Sequence, residues 1–241
     1  CLLGCFWHMP DFDVIVVGGG PAGSACARFL GEKGVSVLLL DKASFPRDKV
    51  CGDGMSGKSM RILYELGVKE KIESKPHSKI RGVTFSSPNG KTLEVKIPLK
   101  EGKEQYAYCA RREVFDNILF EHATKVCQFR ERVQVMGLQR EHAKVVGVKV
   151  NDLGLDEERV ITSHIVVGAD GAQSIVAKEL NVSHLPEEHG CVAVRGYYEN
   201  VQGVKDHIEL HFVEEMIPGY FWIFPIEGNK CNVGAGMVLN E

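Results

Sequence analysis

"DVIVVGGGPAGSACARFLGEKGVSVLLLD" occupies residues 13–41, and its reading decides the fold. Val14 to Val17 form the short apolar, β-branched run expected of a strand buried in a parallel sheet. Gly18, Gly20 and Gly23 follow as G-x-G-x-x-G, with Ala22 inside the turn, and Ala25, Ala27, Phe29 and Leu30 continue as a helix. Val35 to Leu40 predict a second buried strand that Asp41 ends. The three glycines serve different ends. Gly18 permits the tight turn, Gly20 lets a pyrophosphate approach the backbone, and Gly23 lets helix and strand pack closely. The helix start presents free N–H groups and a partial positive charge to phosphates. Asp41 is placed to accept a hydrogen bond from a ribose hydroxyl. The glycine pattern alone is weak. Strand, turn, helix, strand and terminal acid together predict dinucleotide binding.

No second G-x-G-x-x-G exists, because Gly234-Ala235-Gly236 is followed by Met-Val-Leu. A chain with one such fold binds NAD or FAD there, and three later segments favour FAD. "SFPRDKVCGDGMSG" (44–57) directly follows the acid-tipped strand. "ARREVFDNILFEHA" (110–123) is an amphipathic helix opened by Arg112, which can reach a phosphate or ribose, or stand as an exposed helix-start cation. "HIVVGADGAQS" (164–174) reads as a buried strand ending in Gly168-Ala169-Asp170-Gly171. That puts a carboxylate at a strand's carboxyl end, where cofactors bind in open α/β sheets, although an ordinary Asp-Gly turn has the same sequence.

Together these segments resemble glutathione-reductase-like flavoproteins with the p-hydroxybenzoate-hydroxylase fold, and within them the geranylgeranyl reductase family. The similarity runs from about Asp13 to the end of the chain. It implies that the Gly18–Gly23 loop cradles the FAD pyrophosphate and that Asp41 binds the adenosine ribose. It further implies that Cys51, Gly52 and Gly54 line the flavin side, that Arg112 contacts the dinucleotide, and that Asp170 belongs to a "DG" motif. Tyr220-x-Trp222-x-Phe224-Pro225, followed by Gly234-x-Gly236, matches the family's substrate motif YxWxFP and GxG. Alternate residues of a strand share a face, so the three rings are expected to form one apolar wall. Ordinary core packing is the competing explanation.

Two departures stand out. Ala177 occupies a position where many relatives carry an arginine, which weakens any inference about nicotinamide docking. The chain ends at Glu241 without the third, Gly-Asp-Ala-like flavin motif, so it reads as a fragment.

The expected architecture is α/β: a Rossmann-like FAD-binding domain with a parallel sheet (9–77 and 104–182), interrupted by a smaller antiparallel substrate domain (78–103 and 183–241). Residues 1–8 read as leader or upstream sequence before Met9. "RGVTFSSPNGKTLEVKI" (81–97) predicts a hairpin turning at Asn89-Gly90. Residues 132–150 predict two strands around Glu141-His142, 151–159 a polar turn, and 191–238 several antiparallel strands. His207 and His211 fall in an alternating, strand-like stretch, where four residues span roughly 13 Å and cannot share one ion, so no metal site is expected.

With 241 residues and a net charge of −3, the chain has no basic footprint for nucleic acid. It also lacks the roughly eighteen-residue apolar run of a membrane span. Among eight cysteines, Cys26, Cys109, Cys127, Cys191 and Cys231 sit among apolar neighbours and are expected to be buried, reduced and inert. Cys51 lies in a glycine-flanked loop after Arg47 and Lys49, cations able to favour its thiolate if they face it. It is the one catalytic candidate, as proton donor or redox partner, with loop packing as the alternative.

The resulting expectation is an FAD-dependent oxidoreductase that reduces isoprenoid, geranylgeranyl-type C=C bonds by hydride transfer from reduced flavin. A flavin monooxygenase or halogenase shares the fold, although the halogenase motif W-x-W-x-I-P has Trp and Ile where this chain has Tyr220 and Phe224. A non-catalytic flavin- or lipid-binding protein, or an electron carrier, is the reading from another class. The external donor is open, with NAD(P)H a candidate, and so is the oligomeric state. A cytoplasmic protein is expected, with peripheral membrane contact compatible with so apolar a substrate.

Overall fold

The computed structural model describes residues 9–99, 105–182 and 189–238; the leader reading of residues 1–8 lies outside them. In chain order the elements are β1 (Phe12–Val17), α1 (Pro21–Gly31), β2 (Val37–Leu40), β3 (Gly54–Met55), α2 (Gly57–Glu65), α3 (Lys69–Glu73), β4 (Ser78–Ile80), β5 (Gly82–Ser86) and β6 (Thr92–Lys96). There follow β7 (Ala107–Cys109), α4 (Arg112–Ala123), β8 (Gln128–Arg130), β9 (Val133–Glu141), β10 (Lys144–Asp152), β11 (Glu157–Gly168) and α5 (Ile175–Glu179). The last strands are β12 (Cys191–Tyr198), β13 (His207–His211), β14 (Tyr220–Glu227) and β15 (Lys230–Val238).

Contacts divide the chain into two compact units: Cys1–Phe45 with Leu119–His184, and Pro46–Ile118 with Leu185–Glu241. Residues 46–77 and 105–118 fall within the second of these units.

The first unit is built on a six-stranded sheet ordered β8-β2-β1-β11-β10-β9. β1 pairs in parallel with β2 and β11, and β2 with β8, whereas β10 runs antiparallel to both β9 and β11. The sheet is therefore mixed, the parallel half being extended by an antiparallel meander. The continuous apolar run of β1 has a direct explanation. Ile15 and Val17 enter one core with Leu38, Leu40, Val148 and Val150. Val14 and Val16 enter another with Val37, Leu39, Ala27 and Phe120. A strand buried on both faces has no polar side to alternate with. β2 begins at Val37, two residues later than the sequence pattern predicts. The last residues of β11, 164–168, are half-buried to exposed, not buried, with Val176 of the short α5 lying against Gly168.

The second unit holds a six-stranded sheet ordered β12-β15-β14-β13-β5-β6 and a small antiparallel sheet β3-β7-β4. The large sheet is antiparallel except for β5 and β13, which pair in parallel. The β5–β6 hairpin turns at Asn89-Gly90, where Gly90 takes φ 78 and Ser87 donates its N–H to the Lys91 carbonyl. β13 is a strand, as the alternation of residues 207–211 predicts. Its histidines are engaged locally: His207 with Asp206, and His211 with Glu209 and Ser86. Among the described residues no helix is long and apolar enough to cross a membrane.

The small sheet is tied to α3 by a charged cluster. The Tyr108 hydroxyl donates to Glu73 at 2.5 Å, and Lys69 and Lys79 approach the same carboxylate at 2.9 and 3.2 Å. These donors, led by Tyr108, depress the Glu73 pKa to about 2. A folded-state pKa below the unfolded one stabilises the protein above the unfolded pKa, and the benefit is lost as pH falls through the folded one. Glu73→Gln should therefore cost about 1–3 kcal/mol at neutral pH, the worth of hydrogen bonds to a charged group. In urea unfolding followed against pH, the gap between variant and wild type should be constant above about pH 4.5 and close toward pH 2.

Candidate active site

In the first unit the glycine turn forms a cradle that side chains would close. Gly18 takes φ 99, and a Cβ there would lie 2.5 Å from the Ala169 carbonyl oxygen. A Cβ on Gly23 would lie 1.8 Å from the Gly18 carbonyl oxygen, so only glycine allows α1 to start so close to β1. Gly20 is the N-cap of α1, Pro21 occupies the first turn, and no side chain caps the helix. The first-turn N–H groups, Ala22 among them, are therefore left for a ligand. Asp41 ends β2 and holds the loop from beneath. Its Oδ2 accepts the Gly19 N–H at 2.7 Å and its Oδ1 the Ala43 N–H at 2.8 Å. Each oxygen keeps a second lone pair for a hydroxyl donor. An uncapped helix start, a glycine turn without room for Cβ and a carboxylate beside it fit the pyrophosphate and ribose of a dinucleotide.

Asp170 has a local role. Its Oδ1 accepts from the Ser174 hydroxyl at 2.5 Å and its Oδ2 from the Ile175 N–H at 2.7 Å. Ser174 in turn accepts the Ala177 N–H at 3.0 Å, so the "DG" carboxylate closes the start of α5.

The second unit contains an apolar cavity of about 400 Å³. Tyr220, Trp222 and Phe224 share one face of β14 and line it, with successive ring centroids 6.1 and 6.4 Å apart. The neighbouring strand explains why they fit. Tyr220 pairs with Gly236 and Trp222 with Gly234, so large rings lie opposite residues without side chains. A Cβ on Gly234 would sit 2.2 Å from Cζ2 of Trp222. Gly234 is thus filled by the indole and does not itself line the cavity, whereas Gly236 does. Pro225 is buried and paired with Cys231, also away from the lining.

Another part of the wall comes from Cys51 and Gly52 in the loop before β3 and from Gly54 at its start. The Phe224 ring lies against both glycines, with Cε2 2.9 Å from an ideal Cβ on Gly52 and 3.1 Å from one on Gly54. Cys191 also lines the cavity and is exposed rather than buried, because β12 is the edge strand of the sheet. Cys109 and Cys231 are buried as expected, and Cys26 and Cys127 half-buried, burial pushing the Cys127 thiol up to about 11.

The cation that interacts with Cys51 is Arg112, whereas Arg47 is turned to Asp116 at 2.9 Å. Arg112 grips the fully buried Asp116 with both Nε and Nη2, at 2.6 and 2.7 Å. Burial works against its charge, but Asp116 and then Cys51 raise its pKa above that of a free guanidinium. Two arginines thus share one buried carboxylate.

Sequence reasoning missed Asp53 and Asn232. Asp53 is 2% exposed and adopts φ 63. It accepts the Arg112 N–H at 3.1 Å and the Asn232 side-chain N–H at 2.7 Å. Burial pushes its carboxyl up, against the opposing pull of these donors. The Tyr197 hydroxyl faces the same carboxylate from outside hydrogen-bonding geometry. Asn232 is fully buried, accepts Trp222 Nε1–H at 2.9 Å and donates to the Cys51 carbonyl at 2.7 Å. The available signal was a polar residue in the otherwise apolar and glycine-rich stretch "CNVGAG".

Comparison with known proteins follows the same lines. The menaquinone reductase of Mycobacterium tuberculosis is 34% identical over 235 residues, covering 93% of this chain and 54% of that protein. The digeranylgeranylglycerophospholipid reductase of Methanosarcina acetivorans is 31% identical over 234 residues, covering 95% and 55%. The chain thus spans about half the length of the curated relatives it matches. A geranylgeranyl bacteriochlorophyll reductase-like protein from Thermoplasma acidophilum superposes with a TM-score of 0.81 at 26% identity, covering 96% of this chain and 58% of that one. The myxobacterial chondrochloren halogenase gives 0.82 at 25%, covering 95% and 53%. A family model described as an FAD binding domain matches residues 11–225, nearly the whole described chain. With the glycine cradle and its acid in place, this chain belongs to the FAD binding domain family.

Proposed function

We propose that the protein is an FAD-dependent reductase of isoprenoid carbon–carbon double bonds. The observation that carries this reading is the apolar cavity walled by Tyr220, Trp222 and Phe224 and by the Cys51 loop. An isolated alkene offers no polar group to grip, so recognition must come from shape, apolar contact and exclusion of water. The name of the digeranylgeranylglycerophospholipid reductase from Methanosarcina points to an isoprenoid lipid as substrate.

In this reading the Gly18–Gly23 turn and the start of α1 hold the FAD pyrophosphate, and Asp41 takes the adenosine ribose. Asp170 contributes through the turn that it fixes. Reduced FAD supplies the hydride. The chain supplies orientation and a proton. Tyr220, Trp222 and Phe224 hold the prenyl chain flat against β14. Cys51 carries a proton on Sγ at the cavity wall, and Arg112 stands beside the thiolate that remains when that proton moves to the second alkene carbon.

The test is anaerobic reduction of the flavin in the full-length protein with dithionite, followed by a geranylgeranyl lipid. Return of the oxidised flavin spectrum with the alkene, and formation of the saturated lipid, is the expected result. A spectrum that returns only with oxygen would instead support the monooxygenase and halogenase reading suggested by the halogenase neighbour. A spectrum that neither supports would leave a carrier. Cys51→Ser is expected to lower turnover tenfold or more with the flavin still bound.

The walls make separate predictions. Gly236→Leu projects into the cavity, where an added Cβ meets only ordinary contacts, with Ala193 at 3.4 Å and Trp222 at 3.6 Å. It should weaken prenyl binding tenfold or more with little change in melting temperature. Gly234→Ala should instead displace the Trp222 ring and destabilise the fold by about 1–3 kcal/mol, the usual cost of overpacking.

A further inference from the structure

We propose that Asn232 is a positioning residue that locks the indole of Trp222 and the peptide of Cys51 into one rigid geometry, fixing the thiol against the aromatic wall. The inference deepens the reading of this cavity as a reductase site and assigns a role to a residue outside its lining.

Both N–H donors of the Asn232 carboxamide and its oxygen are engaged. Its oxygen takes the Trp222 indole N–H, and its two N–H bonds go to the Cys51 carbonyl and to Asp53 Oδ2. The orientation is fixed by chemistry: a flipped amide would set NH2 against the indole N–H and its oxygen against two acceptors. The side chain has no exposed surface, so water cannot replace any of these partners. Its place in the sheet serves the purpose. Asn232 pairs with Phe224 on β14 and Tyr197 on β12, so its side chain shares the face of the aromatic wall. Asp53 extends the connection to the Arg112 N–H at the start of α4, and Arg112 is the cation beside Cys51. One amide thereby sets the ring, the loop and the guanidinium.

The rest of the loop cannot do this alone. Its outer end is held by Arg195 to Asp48 at 2.6 Å, but the Asp48 side chain is half exposed, and such pairs contribute little. Phe224 touches Gly52 and Gly54 without directional bonds. A strand prefers apolar or β-branched residues, and burying an amide is unfavourable without partners, so the residue type reflects the bonds it makes.

The test uses the full-length protein, with the Trp222 emission taken as the difference from a matched Trp222→Phe variant. Asn232→Leu removes all three bonds, whereas Asn232→Asp keeps an acceptor for the indole and offers at most one donor where two are needed. Cys51 alkylation by iodoacetamide is followed site by site with mass spectrometry, alongside Trp222 emission and steady-state kinetics. The expected result is alkylation at least tenfold faster in both variants, a changed Trp222 emission only in Asn232→Leu, and in Asn232→Asp a tenfold fall in kcat with KM within threefold. Folded variants that alkylate Cys51 within twofold of wild type would overturn the proposal. If neither variant folds, the wild type decides: the Asn232 side-chain amide protons should exchange as slowly as core amides, and fast exchange overturns it. Alkylation, emission and exchange do not depend on turnover, so a failure of the reductase reading remains distinguishable from a failure of the lock.

Discussion

A buried carboxamide must find a partner for each of its donors and its acceptor, since every unsatisfied group costs about 1–3 kcal/mol. In the second unit that requirement falls on Asn232, and meeting it organises the unit's functional face. The indole of Trp222, the carbonyl of Cys51 and the carboxylate of Asp53 all converge on it. Asp53 is held in a left-handed conformation that few buried residues other than glycine adopt, and aspartate tolerates it better than most. The aromatic wall and the cysteine loop, 181 residues apart in sequence at the Cys51–Asn232 bond, become one structure through these contacts.

The first unit depends on a different constraint, the absence of Cβ atoms. Gly18 and Gly23 let a strand, a turn and a helix start crowd together at distances that a Cβ would forbid. The same device recurs at Gly234 and Gly52, where missing side chains make room for Trp222 and Phe224. A missing side chain can therefore leave a cavity open, as at Gly236, or let an aromatic ring reach its place, as at Gly234.

Charge is handled in the same economical way. Asp116 is fully buried and takes both Arg47 and Arg112, which offsets the cost of burying its carboxylate. Arg112 is consequently rigid, gripped by two bonds and anchored through its own N–H. The sequence pattern identified it as a cation at a helix start and named Arg47 and Lys49 as the neighbours of Cys51. The fold turns Arg47 to Asp116 and brings Arg112 to the thiol.

The nucleotide half was legible in the chain because its signal is local. A buried strand, a glycine turn, a helix and an acid-tipped strand lie within residues 13–41, and their periods and spacing are properties of neighbouring residues. The aromatic face of β14 was legible for the same reason, since alternation alone places Tyr220, Trp222 and Phe224 together. Pairings between distant segments were not. The parallel match of β5 to β13 and the exposure of Cys191 on an edge strand follow from which strands meet. Asn232 is the clearest case. In sequence it is one polar letter in an apolar strand, and only the fold supplies the three partners, two of them about 180 residues away, that make an amide the residue for that position.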